Sequence, residues 1–329
     1  MRRLAQTALA LALLLLIPIK ALPAAAPPFH RGTNILGYDP VWHGRKAQFT
    51  VADLRRIREA GFDTVRINMQ PFKVSLSGEN RLNPVWLALM DQYVDAALAS
   101  GFYVVIDYHD TDSACSNNFS ECTPKLRAFW KQISGHYRSK SDHLIYELLN
   151  EPHAPLSDQT WNIEQVNLIN LIRSTDSSRI IVVSPTGYCS LRKLEALALP
   201  HDPHLIVTFH YYSPEGFTKQ FRADPSRGSS GYRAWGSALD QLRLKSDFDV
   251  VAAWSKAHHT PIFLGEFGVW DAVPTSYRSA YMKAVVDAAE RRNFGWAQWQ
   301  YSRDFSATDS KTGLWIPSVL RALRGNAIQ

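Results

Sequence analysis

The 329-residue chain is poor in cysteine. It has three cysteines, with no Cys-x-x-Cys pair and no Cys/His spacing that would hold zinc. No glycine-rich phosphate loop follows its first candidate strand, which removes support for a dinucleotide fold. No Gly-x-Ser-x-Gly occurs, so an esterase or peptidase built on a nucleophile elbow lacks its motif. Dense Lys/Arg tracts are missing, and nucleic-acid binding has little electrostatic support. No stretch rich in Pro, Ser or Gly divides the chain into separate units. Nor is any apolar run long enough to span a bilayer comfortably; the most apolar, Leu11 to Ile17, lies near the N-terminus.

That run has a pattern of its own. Arg2 and Arg3 precede it, and Ala24, Ala25 and Ala26 follow. A basic start, a short apolar stretch and a small-residue exit describe a secretory signal, with an uncleaved anchor as the alternative. We read residues 1–26 as that signal and residues 27–329 as one domain, secreted or periplasmic. Loss of Arg2, Arg3 and Lys20 lowers the formal charge from +6 to about +3. In an exported chain, Cys115 and Cys122 are candidates for a local disulfide across the polar stretch Ser113–Thr123. Cys189 is left over as a small buried residue.

What the chain does contain is apolar and aromatic. Hydrophobic residues make up 46% and charged residues 20%, enough for one large core and too apolar for extended disorder. Short β-branched or apolar runs alternate with longer amphipathic patterns. The candidate strands are Thr33–Tyr38, Thr64–Met69, Tyr103–Tyr108, Leu144–Leu149, Ile180–Ser184, Leu205–His210, Ile262–Gly265 and Gly295–Gln300. Helical patterns include Val51–Ala60, Pro84–Ser100, Pro124–Ser139, Asp158–Ser174 and Thr275–Arg292. Asn83 before Pro84 makes a good helix start, and Thr123 before Pro124 repeats it. Eight strands alternating with helices suit a parallel (β/α)8 barrel, an α/β fold; an open doubly wound sheet is the alternative.

Polar residues gather where these strands end, which in such a barrel is the catalytic face. Arg66 and Asn68 come late in the second strand. His109 closes the third, Asn150 and Glu151 the fourth. His210, Tyr211 and Tyr212 close the sixth, Glu266 closes the seventh, and Trp299 comes late in the eighth. Singly, each has a bland explanation as a solvated loop charge, a structural histidine or core. Jointly they share one rim. Glutamates on strands four and seven face each other across the mouth and can stand about 5 Å apart, as a retaining glycosidase needs.

At these residues the chain resembles the family 5 glycoside hydrolases, a cellulase family. Leu144-Ile145-Tyr146-Glu147-Leu148-Leu149-Asn150-Glu151-Pro152 looks like its Asn-Glu-Pro segment, and Pro261-Ile262-Phe263-Leu264-Gly265-Glu266-Phe267-Gly268 like its nucleophile strand. Gly61–Ile67, Asp107-Tyr108-His109, Phe209-His210-Tyr211-Tyr212 and Trp299 resemble the remaining segments, in order. The resemblance implies a retaining endo-β-1,4-glucanase, with a β-mannanase, a xyloglucanase, a β-1,3-glucanase or an exo-glucosidase as alternatives and a non-catalytic carbohydrate-binding barrel as a distant one. It implies Glu151 as acid/base with a raised pKa, and Glu266 as nucleophile, kept ionised by Arg66 and Tyr212. His210 would tune Glu151. Asn150, His109 and Trp299 would hold the sugar at the cleavage point. Trp42, His43 and Trp270 are further candidates for the cleft. Glu147, on the same face as Glu151, would bury against Arg66. Asp107, Asp110 and Asp112 read as solvated loop carboxylates. A monomer acting on a β-glucan polysaccharide or oligosaccharide is expected, with no metal, no cofactor, no nucleic acid and no membrane after processing.

Overall fold

The computed structural model describes residues 26–70, 76–77, 80–110, 114–220 and 233–325; Asp112 and residues 1–25 of the signal segment lie outside them. Eight parallel strands close into a barrel in chain order: β1 (Arg31–Ile35), β2 (Thr64–Met69), β3 (Tyr103–Tyr108), β4 (Leu144–Glu147), β5 (Ile181–Val183), β6 (Leu205–Tyr211), β7 (Ile262–Phe267) and β8 (Gly295–Gln298). Each pairs with its sequence neighbour, and β8 returns to β1 through Arg31 opposite Trp296. Among the described residues, seven helices longer than four residues surround it: α1 (Val51–Glu59), α2 (Pro84–Ala99), α3 (Phe119–His136), α4 (Asp158–Arg173), α5 (Ala238–His258), α6 (Thr275–Glu290) and α7 (Pro317–Arg324). After β5 a short 3-10 helix, Leu191–Ala196, stands where a longer helix would be. The chain is a (β/α)8 barrel.

The two-residue period of each strand divides the core into two. Outward residues such as Val65, Ile67, Val104, Ile106, Val207 and Leu264 pack under the helices. Inward residues Val105, Ile145, Val182, Ile206, Phe263 and Ala297 meet Phe29 and fill the barrel's lower end. The next inward positions along the strands are polar: Asn34, Arg66, Asp107, Glu147 and Thr208, all fully buried or nearly so. A dry apolar floor therefore carries a polar layer, and the site stands on that layer.

Element edges differ from expectation in informative ways. β1 ends at Ile35, three residues before Tyr38, because the chain turns at Leu36 (φ 66°) and the Asp39 N–H closes onto the Leu36 carbonyl at 3.3 Å. β4 ends at Glu147 and β7 runs on to Phe267, so Glu266 lies within its strand. The Asn83 cap forms, its side chain accepting from the Val85 N–H at 2.9 Å. The Thr123–Pro124 start does not. α3 begins five residues earlier at Phe119 and carries Pro124 inside it, with the Thr123 hydroxyl donating to the Phe119 carbonyl at 2.7 Å. Cys115 and Cys122 are bonded, Cα atoms 4.9 Å apart, and join the turn Ala114–Asn117 to α3 rather than closing an open loop. Cys189 is free and buried.

One irregularity shapes the site. Along β6 and β7, Phe209 lies opposite Leu264 but His210 lies opposite Glu266, so Gly265 is an extra residue in the ladder. This bulge turns Glu266 to the same side as His210. Gly265 is required there: a Cβ would meet Thr208 Oγ1 at 2.6 Å and His210 Nε2 at 3.1 Å.

Candidate active site

Arg66 anchors the rim from below. Fully buried, it spreads five N–H donors over the polar layer. Nε and Nη2 take both oxygens of Glu147 at 2.7 and 2.8 Å. Nη1 donates to Asn34 Oδ1 at 2.8 Å and Glu266 Oε1 at 2.7 Å, and Nη2 donates to Asn150 Oδ1 at 2.9 Å. Asp107 stands 3.0 Å from Nη2. Glu147 thus has the partner expected of it. Burial works against the Arg66 charge, but Asp107, Glu147 and Glu266 outweigh it and hold the guanidinium charged. Removing one partner of such a buried pair typically costs about 3–5 kcal/mol.

Asp107 is not the solvated carboxylate expected beside His109. It points inward from β3, fully buried, where burial pushes its carboxyl up but Arg66, His109 and Asn68 pull it below the usual range. Its Oδ2 lies 2.6 Å from His109 Nδ1. That contact orients the His109 ring, which stacks on Trp299 with centroids 5.3 Å apart and planes 9° apart. Asp110 is also buried, and accepts the Cys115 N–H at 2.7 Å.

The two rim glutamates differ in their surroundings. Glu266 accepts from Arg66 on one oxygen and from the Tyr212 hydroxyl on the other at 2.9 Å, and is 4% exposed. Burial and the charges of Glu266 and Glu151 keep Tyr212 protonated well above the ordinary phenol range. Glu151 has a backbone φ of +46° and a side chain 27% exposed, open to whatever enters the cleft. Its Oε1 lies 2.8 Å from His210 Nδ1. Glu151, His210 and Glu266 each offer an atom within 4.8 Å of the other two.

The expected raised pKa of Glu151 is not what this geometry gives. Burial pushes its carboxyl up, but the hydrogen bond and charge of His210, with His109 and Lys219 behind, hold it below the usual range. Burial pushes His210 down, yet Glu266 and Glu151 outweigh that and raise it. The proton of the pair therefore rests on His210.

Trp42 and His43 are not cleft residues. Trp42 is buried in the turn after β1, its indole N–H donating to the Leu36 carbonyl at 2.5 Å, because the turn needs an apolar plug beneath it. His43 is exposed at the end of that turn and borders neither cavity at the rim. Trp270 stands one layer behind, edge-on to Phe305 at 5.5 Å; Phe305 is the ring that borders the cavity.

Two cavities meet at Glu151. One of about 230 Å³ holds His109, Asn150, Glu266 and Trp299 together with Tyr38 and Phe305. The other, about 530 Å³, extends from Glu151 over Tyr188, Arg192, Lys219 and Asp247. Tyr38, His153, Tyr188, Lys219 and Phe305 lie on loops with no local motif. Only their aromatic or basic character, once the rim is known, marks them.

The chain matches the model of the cellulase family, glycosyl hydrolase family 5, over residues 26–304. It is 26% identical over 294 residues to endoglucanase H of Acetivibrio thermocellus, covering 86% of this chain but 31% of that protein. The chain spans between 31% and 50% of the length of the curated relatives it matches first. Among solved structures, the cellulose synthase subunit Z of Clostridioides difficile is 32% identical, with a TM-score of 0.82 over 90% of this chain and 99% of that one. Endoglucanase Cel5A of Thermotoga maritima is 30% identical, with a TM-score of 0.83 over 89% and 96%. That protein has been solved with cellobiose and with mannotriose.

Proposed function

Because the chain belongs to glycosyl hydrolase family 5, the cellulase family, we propose that it is a retaining β-glycosidase that cleaves β-1,4-glucan internally through Glu151 and Glu266. The observation that carries this is the pair itself. Glutamate oxygens within 4.8 Å of each other leave no room for a water between attacker and bond, which supports a covalent intermediate over direct inversion.

Glu266, ionised against Arg66 and Tyr212, attacks the anomeric carbon and forms a glycosyl ester. The glycosidic C–O bond breaks, and the leaving oxygen takes a proton from Glu151. That proton is the one shared with His210, drawn through the carboxyl as the oxygen gains charge. The His210–Glu151 pair is left one proton short. In the second step Glu151 removes a proton from water, the hydroxide attacks the anomeric carbon, and Glu266 departs as carboxylate. Only water is consumed. Asn150, held by Arg66, is positioned for the sugar's 2-hydroxyl. His109 and Trp299 bound the ring in the smaller cavity.

The glucan choice rests on the relatives' names. β-Mannan is the second reading, because the Thermotoga protein accommodates mannotriose as well as cellobiose. Reducing-sugar release from carboxymethyl-cellulose, barley glucan and mannan separates the two; release from mannan alone ends the glucan reading. Azide tests the roles. In Glu151→Ala, azide should attack the covalent intermediate and give the β-glycosyl azide. In Glu266→Ala, it should fill the nucleophile's place and give the α-anomer. The same anomer from both variants overturns the assignment. We further propose that the protein is exported by its N-terminal signal and acts as a monomer; no helix among the described residues is long and apolar enough to cross a membrane.

A further inference from the structure

A protonated imidazole donates from both ring nitrogens, so a buried one needs two acceptors. His210 has the first. Glu151 Oε1 lies 2.8 Å from Nδ1, with Glu266 Oε2 at 3.6 Å. Nε2 is buried against the bulge of β7 and meets no hydrogen-bond partner among the described residues. A buried N–H left that way works against the charged ring.

One hydroxyl faces it. Thr208 lies two residues earlier on β6, so its side chain shares the inward face of the strand with His210. Thr208 is fully buried, and its Oγ1 likewise meets no partner among the described residues. Both atoms turn toward the extra residue of β7. A Cβ on Gly265 would lie 2.6 Å from Thr208 Oγ1 and 3.1 Å from His210 Nε2. Because that residue is glycine, the two atoms border one spot that holds no side chain. Buried polar groups are seldom left unpaired, and here two of them converge.

Other groups around the ring do not supply the second acceptor. Glu147 and Glu151 come from β4 and its end, Glu266 from β7 and Arg66 from β2. β5 (Ile181–Val183) brings no titratable group, and Tyr212, past the end of β6, stays protonated. The glutamates favour the imidazolium and Arg66 opposes it, but none of them hydrogen-bonds to Nε2.

We infer that Thr208 is a positioning residue for the acid step, its hydroxyl accepting the Nε2 proton of His210 directly or across one water. The proton that moves is then the one on Nδ1, which faces Glu151. Thr208 borders neither cavity and acts only through His210. Its part in catalysis rests on the glycosidase reading; the contact itself does not.

The test reads the ring and the rate separately. Thr208→Val keeps the side chain's shape and removes its oxygen, whereas Thr208→Ser keeps the oxygen. By nitrogen-15 NMR, the ionisation of His210 should move toward acid by about one pH unit in Thr208→Val and stay within about 0.3 unit of wild type in Thr208→Ser. On β-1,4-gluco-oligosaccharides, the alkaline limb of kcat/KM should move with it in Thr208→Val, so that the loss grows across the limb to about tenfold on its alkaline side. A hydroxyl that served packing alone would lower the rate equally at every pH and leave the limb in place, and that result overturns the inference. So does a His210 ionisation that Thr208→Val leaves unmoved, or that Thr208→Ser shifts as far. A wild-type protein inert on both glucan and mannan overturns the glycosidase reading alone, and the NMR measurement still decides the contact.

Discussion

His210 is the residue whose protonation decides the acid step. It is buried between two glutamates, 2.8 Å from Glu151 and 3.6 Å from Glu266, and their charges raise it above its ordinary value of 6.5. The pair His210–Glu151 titrates as a unit, and its last proton has more affinity for the imidazole than for the carboxyl. Activity therefore requires that this proton be present, and the alkaline limb of kcat/KM should lie above 6.5. In His210→Gln the amide can still donate to Glu151 but cannot hold the proton. The proton must then reside on the weaker site, so the limb should move toward acid by about one unit. A pH–rate profile of the two proteins checks this; a limb that stays in place, or moves toward alkali, rules out storage of the proton on His210.

At the scale of elements, two close approaches shape the rim. The bulge at Gly265 puts His210 beside Glu266. One turn further on, Gly268 makes room for β8's exit: a Cβ there would lie 2.2 Å from the Trp299 carbonyl oxygen. Gly268→Ala should push the Trp299 backbone away, costing about 1–3 kcal/mol of stability as an overpacked site. Because displacement near 1 Å can cost on the order of 100-fold in rate, kcat/KM should fall by about that factor. Denaturant unfolding and oligosaccharide kinetics measure both, and wild-type kinetics would show that Trp299 does not depend on this contact. These approaches also mark what the sequence left hidden. β2 and β3 were legible to the residue because β-branched runs end in polar residues at both. The rim was legible because Glu151, His210, Glu266 and Trp299 each follow an apolar run. The bulge was not, since a glycine inside a strand looks the same whether it is paired or skipped. α5 is faint in the sequence because Leu239, Leu242 and Val250 lie exposed on it and blur the buried stripe of Leu244, Phe248, Val251 and Trp254. His210 was expected to tune Glu151, but the direction was misread: its hydrogen bond and charge lower the carboxyl where a raised one was expected. Tyr188 carries no local signal at all; only the closed barrel brings it against Glu151's segment.

For the molecule as a whole, the layered interior separates what holds the barrel from what the rim does. Phe29 closes the lower end, fully buried, edge-on to Phe263 at 5.1 Å and tilted on Tyr103 at 6.0 Å. Gly295 is shaped around it, since a Cβ there would meet the Phe29 ring at 2.8 Å. The segment is tied down just beyond, where Asp63 accepts the His30 and Arg31 N–H groups at 3.1 and 2.9 Å. Between Phe29 and the rim stand the rest of the apolar floor and the polar layer around Arg66. Phe29→Ala should therefore cost about 3–5 kcal/mol of stability, the loss typical of a large buried ring. The rim draws its geometry from Arg66 and the strand ends rather than from the floor, so kcat at a temperature where the variant is folded should stay within about twofold of wild type. Glu266→Gln should do the reverse, abolishing turnover while lowering the unfolding midpoint less than Phe29→Ala does, because the amide oxygen can still accept from Arg66 and Asp107 and Glu147 still balance the buried guanidinium. Denaturant midpoints and turnover measured on both variants set the two faces against each other. If Phe29→Ala lowered kcat as steeply as it lowered stability, the polar layer would not insulate the rim, and the glutamate pair would depend on the packing of the whole barrel.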